Sequence, residues 1–91
     1  MGWAAARKLR RTVANAIRVV AIEAMTAARA IELRRPRRPA PATAAVIEGL
    51  RQTIPGIGTD RYLAPEIDHA AGLARSGKIV AWAESETGAL Q

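Results

Sequence analysis

One uninterrupted helical pattern constrains what this chain can form. From Ala4 to about Leu33 no proline or glycine breaks the sequence, and apolar residues recur at spacings of three and four. The residues of this stripe are Leu9, Val13, Ile17, Val20, Ala24, Ala27 and Ile31. The pattern predicts one long amphipathic helix that buries the stripe against other helices.

The opposite face of this helix changes character along its length. Its arginines are Arg7, Arg11, Arg18 and Arg29. Ile22 and Met25 lie on the same face, so the second half of the helix is apolar nearly all round. Because a helix that is apolar on all sides is normally buried on all sides, this half predicts more surrounding protein than the chain itself supplies.

An Arg/Pro-rich stretch over residues 34–42 ends the long helix. Proline fixes φ, lacks an N–H donor and moves the preceding residue out of the α region, so an extended linker is expected here. The chain therefore divides into a long amphipathic helix over 1–33, this linker, and short C-terminal helices with a frayed end over 43–91. Thr43 is the expected N-cap of a second helix that Pro55-Gly56 ends. Its apolar face is Val46, Ile47, Leu50 and Ile54.

A third helix is predicted from Pro65 to Ser76, with Gly77 in the left-handed position that follows a helix. Its expected buried stripe is Ile67, Ala70, Ala71 and Ala74. Residues 78–83 are expected to add a short helical or extended piece, and residues 84–91 to fray. With no strand-like alternation, the fold class is all-α: one long helix followed by two or three shorter helices, as a piece of a larger helical bundle.

The composition agrees with a helical piece that needs neighbours. Alanine supplies 21 residues, Phe and Cys are absent, and a chain of 91 residues buries only a thin core. The absence of cysteine excludes a disulfide framework and a thiolate metal site. No stretch approaches the roughly 18 uncharged apolar residues that a membrane span requires. These features predict a cytoplasmic protein with no membrane partner.

His69 is the only histidine and the first candidate for chemistry. A catalytic role would need a nucleophile or a metal ligand beside it. Ser76 and Ser85 belong to no recognisable nucleophile motif, and there is no second histidine to build a metal site. A solvated surface histidine is the better interpretation, and no metal-binding residue is predicted.

Two other motifs also have structural explanations. Gly56-Ile57-Gly58 lacks the third glycine and the preceding strand of a dinucleotide-binding loop. Glu66 and Asp68 fall at the start of the third helix, where carboxylates favour the helix dipole. The sequence therefore predicts no catalytic and no cofactor-binding residue.

The positive charge is concentrated in the first half of the chain. Residues 1–38 carry ten Lys or Arg and two acidic residues, whereas residues 39–91 carry four basic and six acidic residues. The basic clusters are Arg7, Lys8, Arg10 and Arg11, and Arg34, Arg35, Arg37 and Arg38. Clustered guanidinium groups neutralise phosphates, so the alternative function is a small basic helical protein that binds nucleic acid. No helix-turn-helix pattern, stacking aromatic set or zinc-finger spacing accompanies them.

Several segments together resemble the C-terminal portion of histidine ammonia-lyases. The run from Arg51 to Val80 is similar to the closing segment of that family, and Met1–Arg10 is similar to the start of its preceding long helix. The matching pieces in the closing run are Ile54-Pro55, Asp60-Arg61, Leu63-Ala64-Pro65-Glu66-Ile67 and Arg75-Ser76-Gly77. Val20-Ala21-Ile22-Glu23 and the run from Ala27 to Arg34 resemble the continuation of the long helix.

This resemblance implies a helical, cytoplasmic homotetramer that converts L-histidine to urocanate and ammonia. The family's electrophile is a methylidene-imidazolone group formed from an internal Ala-Ser-Gly, which this chain lacks. Glu23 does not match the position of the family's catalytic glutamate, so no catalytic residue is carried over. The resemblance thus implies a structural and oligomerisation fragment, inactive alone and without a cofactor, whose partners are the remainder of the lyase or other subunits. Whether the parent enzyme uses histidine or another aromatic amino acid stays open.

Overall fold

A computed structural model of the chain describes residues 2–56 and 61–88. These ranges contain four helices and no strand: α1 (Gly2–Glu32), α2 (Pro41–Arg51), α3 (Ala64–Arg75) and α4 (Lys78–Thr87). The predicted all-α class is confirmed for this part of the chain. None of these helices combines the length and apolar character that crossing a membrane requires.

The long helix α1 dominates the shape of the molecule. Its 31 residues span about 46 Å at a rise of about 1.5 Å per residue, and the longest dimension of the molecule is 55 Å. Every residue from 2 to 13 is exposed, whereas the buried residues of α1 lie in its second half. The first third of α1 therefore projects beyond the other helices.

The start of α2 differs from the expectation. The helix begins at Pro41, Ala40 is its N-cap residue, and no side chain caps it. The prediction of Thr43 as the N-cap is therefore wrong, since Thr43 already lies inside the first turn. Proline starts a helix readily because its fixed φ suits the first position and its missing N–H donor is not needed there.

The short helices α3 and α4 are joined by a tight turn at Gly77. This glycine has φ 82°, in the left-handed region, as predicted. Helix α4 then runs to Thr87, and the N–H of Gly88 donates to the carbonyl of Glu84 at 2.8 Å. The prediction that the chain frays from Glu84 is therefore wrong for residues 84–87. Ile79 and Trp82 pack against the core and hold this helix in place. Residues 89–91 lie outside the described part of the chain.

The helices pack in pairs, α1 against α3 and α2 against α4, while α3 also contacts α4. Among residues 2–56 and 61–88, the buried hydrophobic residues of the core are Ala21, Ala28, Leu50, Ile54, Ala70, Ala71 and Leu73. Four of these are alanines, whose small side chains let α1 and α3 approach closely. Burial of Ala70 and Ala71 agrees with the predicted stripe of α3, and Leu73, which the predicted stripe does not include, is buried as well.

The buried line of α1 is not the predicted one. Ala21 and Ala28 are buried, whereas Leu9, Val13 and Val20 are about half exposed or more. The prediction therefore failed for these three large residues, as it did for the exposed Ala27. The physical reason is that α3 packs along the line of α1 where alanine permits close approach, and this leaves the bulkier stripe uncovered.

Candidate interaction surface on the long helix

An exposed apolar stripe runs along α1. We define the apolar stripe as Leu9, Val13, Ala16 and Val20, whose large members are 64%, 49% and 52% exposed. At about 100° per residue these four positions fall within about 60° of one another, and about 100° around the helix from Ala21 and Ala28. The stripe is therefore a separate face that α3 does not cover.

The spacing of the apolar stripe is typical of helix pairing. Its steps of four, three and four residues produce the seam along which two helices pack side by side. Val19 and Ile22 are also exposed, at 55% and 45%, but they lie about 90° and about 150° around the helix from the stripe and are not part of it. Soluble single chains seldom expose so long a contiguous apolar face, and such faces usually mark interaction sites. The geometry of α1 thus fits contact with further helices.

An ion pair between Glu32 and Arg51 fixes the end of α1 against α2. Arg51 Nη2 lies 2.5 Å from Glu32 Oε1, and Arg51 Nε lies 3.0 Å from Oε2. Arg51 Nη1 also donates to the carbonyl of Ile54 at 3.2 Å. The Glu32 side chain is only 10% exposed. The hydrogen bonds from Arg51 outweigh this burial and hold the pKa of Glu32 below its ordinary value.

We expect Glu32→Gln to lower the free energy of unfolding by about 2 kcal/mol at neutral pH, because a partly buried guanidinium loses its carboxylate. The pKa of Glu32 is lower in the folded than in the unfolded chain. The stabilisation by the Glu32–Arg51 ion pair is therefore fully present above the pKa of Glu32 in the unfolded chain, and it is lost as the pH falls through the pKa of Glu32 in the folded chain. Urea unfolding at several pH values measures this. The difference in free energy of unfolding between the wild type and the variant should disappear at acidic pH.

Glu48→Gln is the matched control, because Glu48 lies on α2 and is exposed. It should shift the free energy of unfolding by no more than about 0.5 kcal/mol. Equal losses in the two variants would contradict a specific role for Glu32.

Within residues 2–56 and 61–88, the side chains of His69, Ser76 and Ser85 do not come together as a catalytic group. His69 is exposed, and its Nε2 lies 2.7 Å from Thr53 Oγ1. The hydroxyls of Ser76 and Ser85 donate to the carbonyls of Leu73 and Trp82, at 3.1 and 2.6 Å. Each hydroxyl therefore donates its hydrogen bond to the preceding turn of its own helix, and neither is hydrogen-bonded to the imidazole of His69.

The carboxylates at the start of α3 form ion pairs. Arg61 Nε lies 2.9 and 3.0 Å from the two carboxylate oxygens of Glu66. Asp68 pairs with Arg18 and so ties α3 to α1. Asp60 and the Ile57-Gly58 part of the glycine motif lie outside the described residues. Within 2–56 and 61–88 no group of three or more His, Cys, Asp or Glu side chains could hold a metal ion.

The two basic clusters lie at opposite ends of α1. Arg7, Lys8, Arg10 and Arg11 are on its projecting part, while Arg34, Arg35, Arg37 and Arg38 follow its end. Residues 12–32 of α1 separate them, which corresponds to about 32 Å along the helix. Within the described part of the chain, the two clusters therefore form two separate patches.

The exposure of the apolar stripe was not predicted, because helical periodicity alone does not distinguish a buried face from an uncovered one. The sizes of the side chains indicate which face is buried. Ala14, Ala21 and Ala28 recur every seven residues, and such a line of small side chains suits close helix packing. The valines and leucine of the apolar stripe fall beside that line and stay exposed.

Comparison with known proteins shows that the chain is similar over its whole length to histidine ammonia-lyases. The family model for aromatic amino acid lyases matches residues 1–52. Histidine ammonia-lyase of Streptomyces coelicolor is 51% identical over 92 residues, covering 100% of this chain. The enzymes of the same name from Symbiobacterium thermophilum and Sorangium cellulosum are 44% and 39% identical, over 100% and 99% of this chain.

The match covers only a small part of each relative. The chain spans 18% of the length of each of these three histidine ammonia-lyases. No solved structure matches the chain significantly. The similarity therefore relates this chain to one segment of a much longer protein.

Proposed function

Because the chain belongs to the aromatic amino acid lyase family, we propose that it is the C-terminal structural segment of a histidine ammonia-lyase. In this role α1 packs its apolar stripe against helices of the remainder of the enzyme or of another subunit. Helix α3 then supports the second half of α1, while α2 and α4 pack against each other. The activity of the assembled enzyme is the elimination of ammonia from histidine to give urocanate.

The single observation that carries this proposal is the uncovered stripe on α1. Val13 and Val20 are about half exposed even though they lie on a helix whose second half packs against α3. Burying a valine fully contributes about 1.5 kcal/mol or more, so a covering helix would gain several kcal/mol along the stripe. The order of the resembling segments, from Met1–Arg10 to Arg75-Ser76-Gly77, supports placing this surface near the C-terminus of the parent enzyme.

The residues of this chain do not fit the family's methylidene-imidazolone group. That group requires Ala-Ser-Gly, whereas the Ser76-Gly77 pair here follows Arg75. Ser76 also ends α3 in an α-helical conformation, and its hydroxyl donates to the carbonyl of Leu73. We therefore propose that the electrophile and the substrate-binding groups belong to the remainder of the lyase, and that this segment contributes support.

Co-expression tests the proposal. The Streptomyces coelicolor enzyme is expressed without the 92 residues that match this chain, either alone or together with the chain on a second plasmid. We expect the two polypeptides to co-elute in size-exclusion chromatography and to form urocanate from histidine. The 91-residue chain by itself should form no urocanate.

The matched control supplies the relative's own excised segment in place of this chain. If that segment restores a complex and this chain does not, the structural role is contradicted. Turnover of histidine by the purified 91-residue chain would also overturn the proposal, since it would place the catalytic groups in this segment.

A further inference from the structure

A groove with an aliphatic floor and an arginine rim lies where α1 ends. Its volume is about 630 Å³, within the range typical of ligand clefts. Aliphatic side chains line its floor between the end of α1 and α2, and arginines of the following turn line its edge. The floor residues are Ile31, Ala44 and Ile47, and the rim residues are Arg35, Arg37 and Arg38.

The charges of the rim are largely uncompensated. Of the two acidic residues that line the groove, Glu32 is already bound by Arg51, and Glu48 is the other. Arg35 lies 3.7 Å from Glu32, but Arg37 and Arg38 form no ion pair with any residue of the described ranges. Both are exposed to solvent at the edge of the groove.

Ending α1 does not require these two arginines. The backbone of the turn is satisfied by its own hydrogen bonds, such as Arg34 N–H to the carbonyl of Ile31 at 3.0 Å and Arg37 N–H to that of Arg34 at 3.1 Å. The field of a helix dipole fades within its last turn, and Arg37 lies five residues beyond Glu32. Their charge is therefore available to a ligand.

We propose that this groove binds an acidic protein segment, with an aliphatic side chain on the Ile31 and Ile47 floor and flanking carboxylates on Arg37 and Arg38. Guanidinium groups pair with carboxylates through two parallel hydrogen bonds, which gives such a rim both charge complementarity and geometric selectivity. None of the described residues that line the groove is aromatic, so they offer no stacking platform for a nucleobase. This inference is independent of the proposed lyase role, since it concerns a surface away from the apolar stripe.

Fluorescence anisotropy with a labelled peptide tests the inference. The probe is a 12-residue peptide in which glutamate pairs flank two leucines, and it is titrated with the 91-residue chain at low and moderate salt. We expect saturable binding, which the double variant Arg37→Gln/Arg38→Gln weakens by at least about ten-fold, as two rim ion pairs of about 0.7 kcal/mol each would give. Circular dichroism of the variant should be unchanged, because both residues are exposed.

The control variant is Arg7→Gln/Arg11→Gln, which removes the same charge from the far end of α1. It should change the affinity by less than about two-fold. A second probe replaces the two leucines by serine and should bind at least about ten-fold more weakly, because the aliphatic floor loses its ligand.

Three outcomes would overturn the inference. The first is an equal loss of affinity in both arginine variants, which indicates general charge attraction. The second is equal binding of the leucine and serine peptides. The third is tighter binding of a single-stranded or duplex oligonucleotide of the same charge than of the peptide, with the same dependence on Arg37 and Arg38, since this would assign the rim to phosphates.

Discussion

Replacing Gly49 with valine is expected to lower the free energy of unfolding by about 3 kcal/mol or more. Gly49 is buried in α2, directly beneath the ring of Trp82 on α4. A Cβ atom added at Gly49 would lie 2.5 Å from Cε2 and from Cε3 of that ring, well inside van der Waals contact. The valine must therefore displace the indole and open the packing of α2 against α4. Urea unfolding followed by circular dichroism measures the loss.

Gly72→Val is the matched control for this prediction. Gly72 also lies inside a helix, α3, but a Cβ atom there would meet nothing within 4 Å. Its effect on the free energy of unfolding should stay within about 0.5 kcal/mol, because valine has a somewhat higher helix propensity than glycine. Similar losses at Gly49 and Gly72 would show that any larger side chain in these helices, and not contact with Trp82, sets the cost.

The long helix and its ends were largely predictable from local sequence. An unbroken apolar period of three and four residues predicts α1, and the structure has it from Gly2 to Glu32. The left-handed turn at Gly77 was predictable for the same reason, because glycine adopts positive φ without steric cost. These features depend on residues that are close together in the chain.

Features that depend on distant contacts were not predictable. Glu32 and Arg51 are separated by 19 residues, and nothing in the local sequence of either one indicates the other. The close approach of Gly49 to Trp82 likewise exists only once α2 and α4 have packed together. The exposed face of α1 was mistaken for a buried face because both faces share the same helical period, and only the placement of α3 separates them.

Val13→Asp combined with Val20→Asp is expected to abolish assembly with the remainder of a lyase. In the isolated chain these residues are 49% and 52% exposed, so the free energy of unfolding should change by no more than about 1 kcal/mol. In an assembled enzyme the same two carboxylates would be buried without partners, at a cost of several kcal/mol. We therefore expect the activity of a lyase that carries this segment to fall by at least about 100-fold, which corresponds to about 2.7 kcal/mol.

Lys8→Asp combined with Asn15→Asp is the matched control. It also adds two aspartates to exposed positions of α1, about 120° around the helix from the apolar stripe. It should leave most of the activity and the elution volume in size-exclusion chromatography unchanged. If both pairs of substitutions disable the enzyme equally, the interface does not belong specifically to the apolar stripe.

A direct graft tests the structural role most simply. The 92 residues of the Streptomyces coelicolor histidine ammonia-lyase that match this chain are replaced by the chain itself, and urocanate formation from histidine is measured beside the unmodified enzyme. If the catalytic groups lie in the remainder of the enzyme, as we propose, the graft should retain activity within about ten-fold of the unmodified enzyme and should keep its oligomeric state. A soluble, folded graft that fails to assemble or to form urocanate would contradict this role.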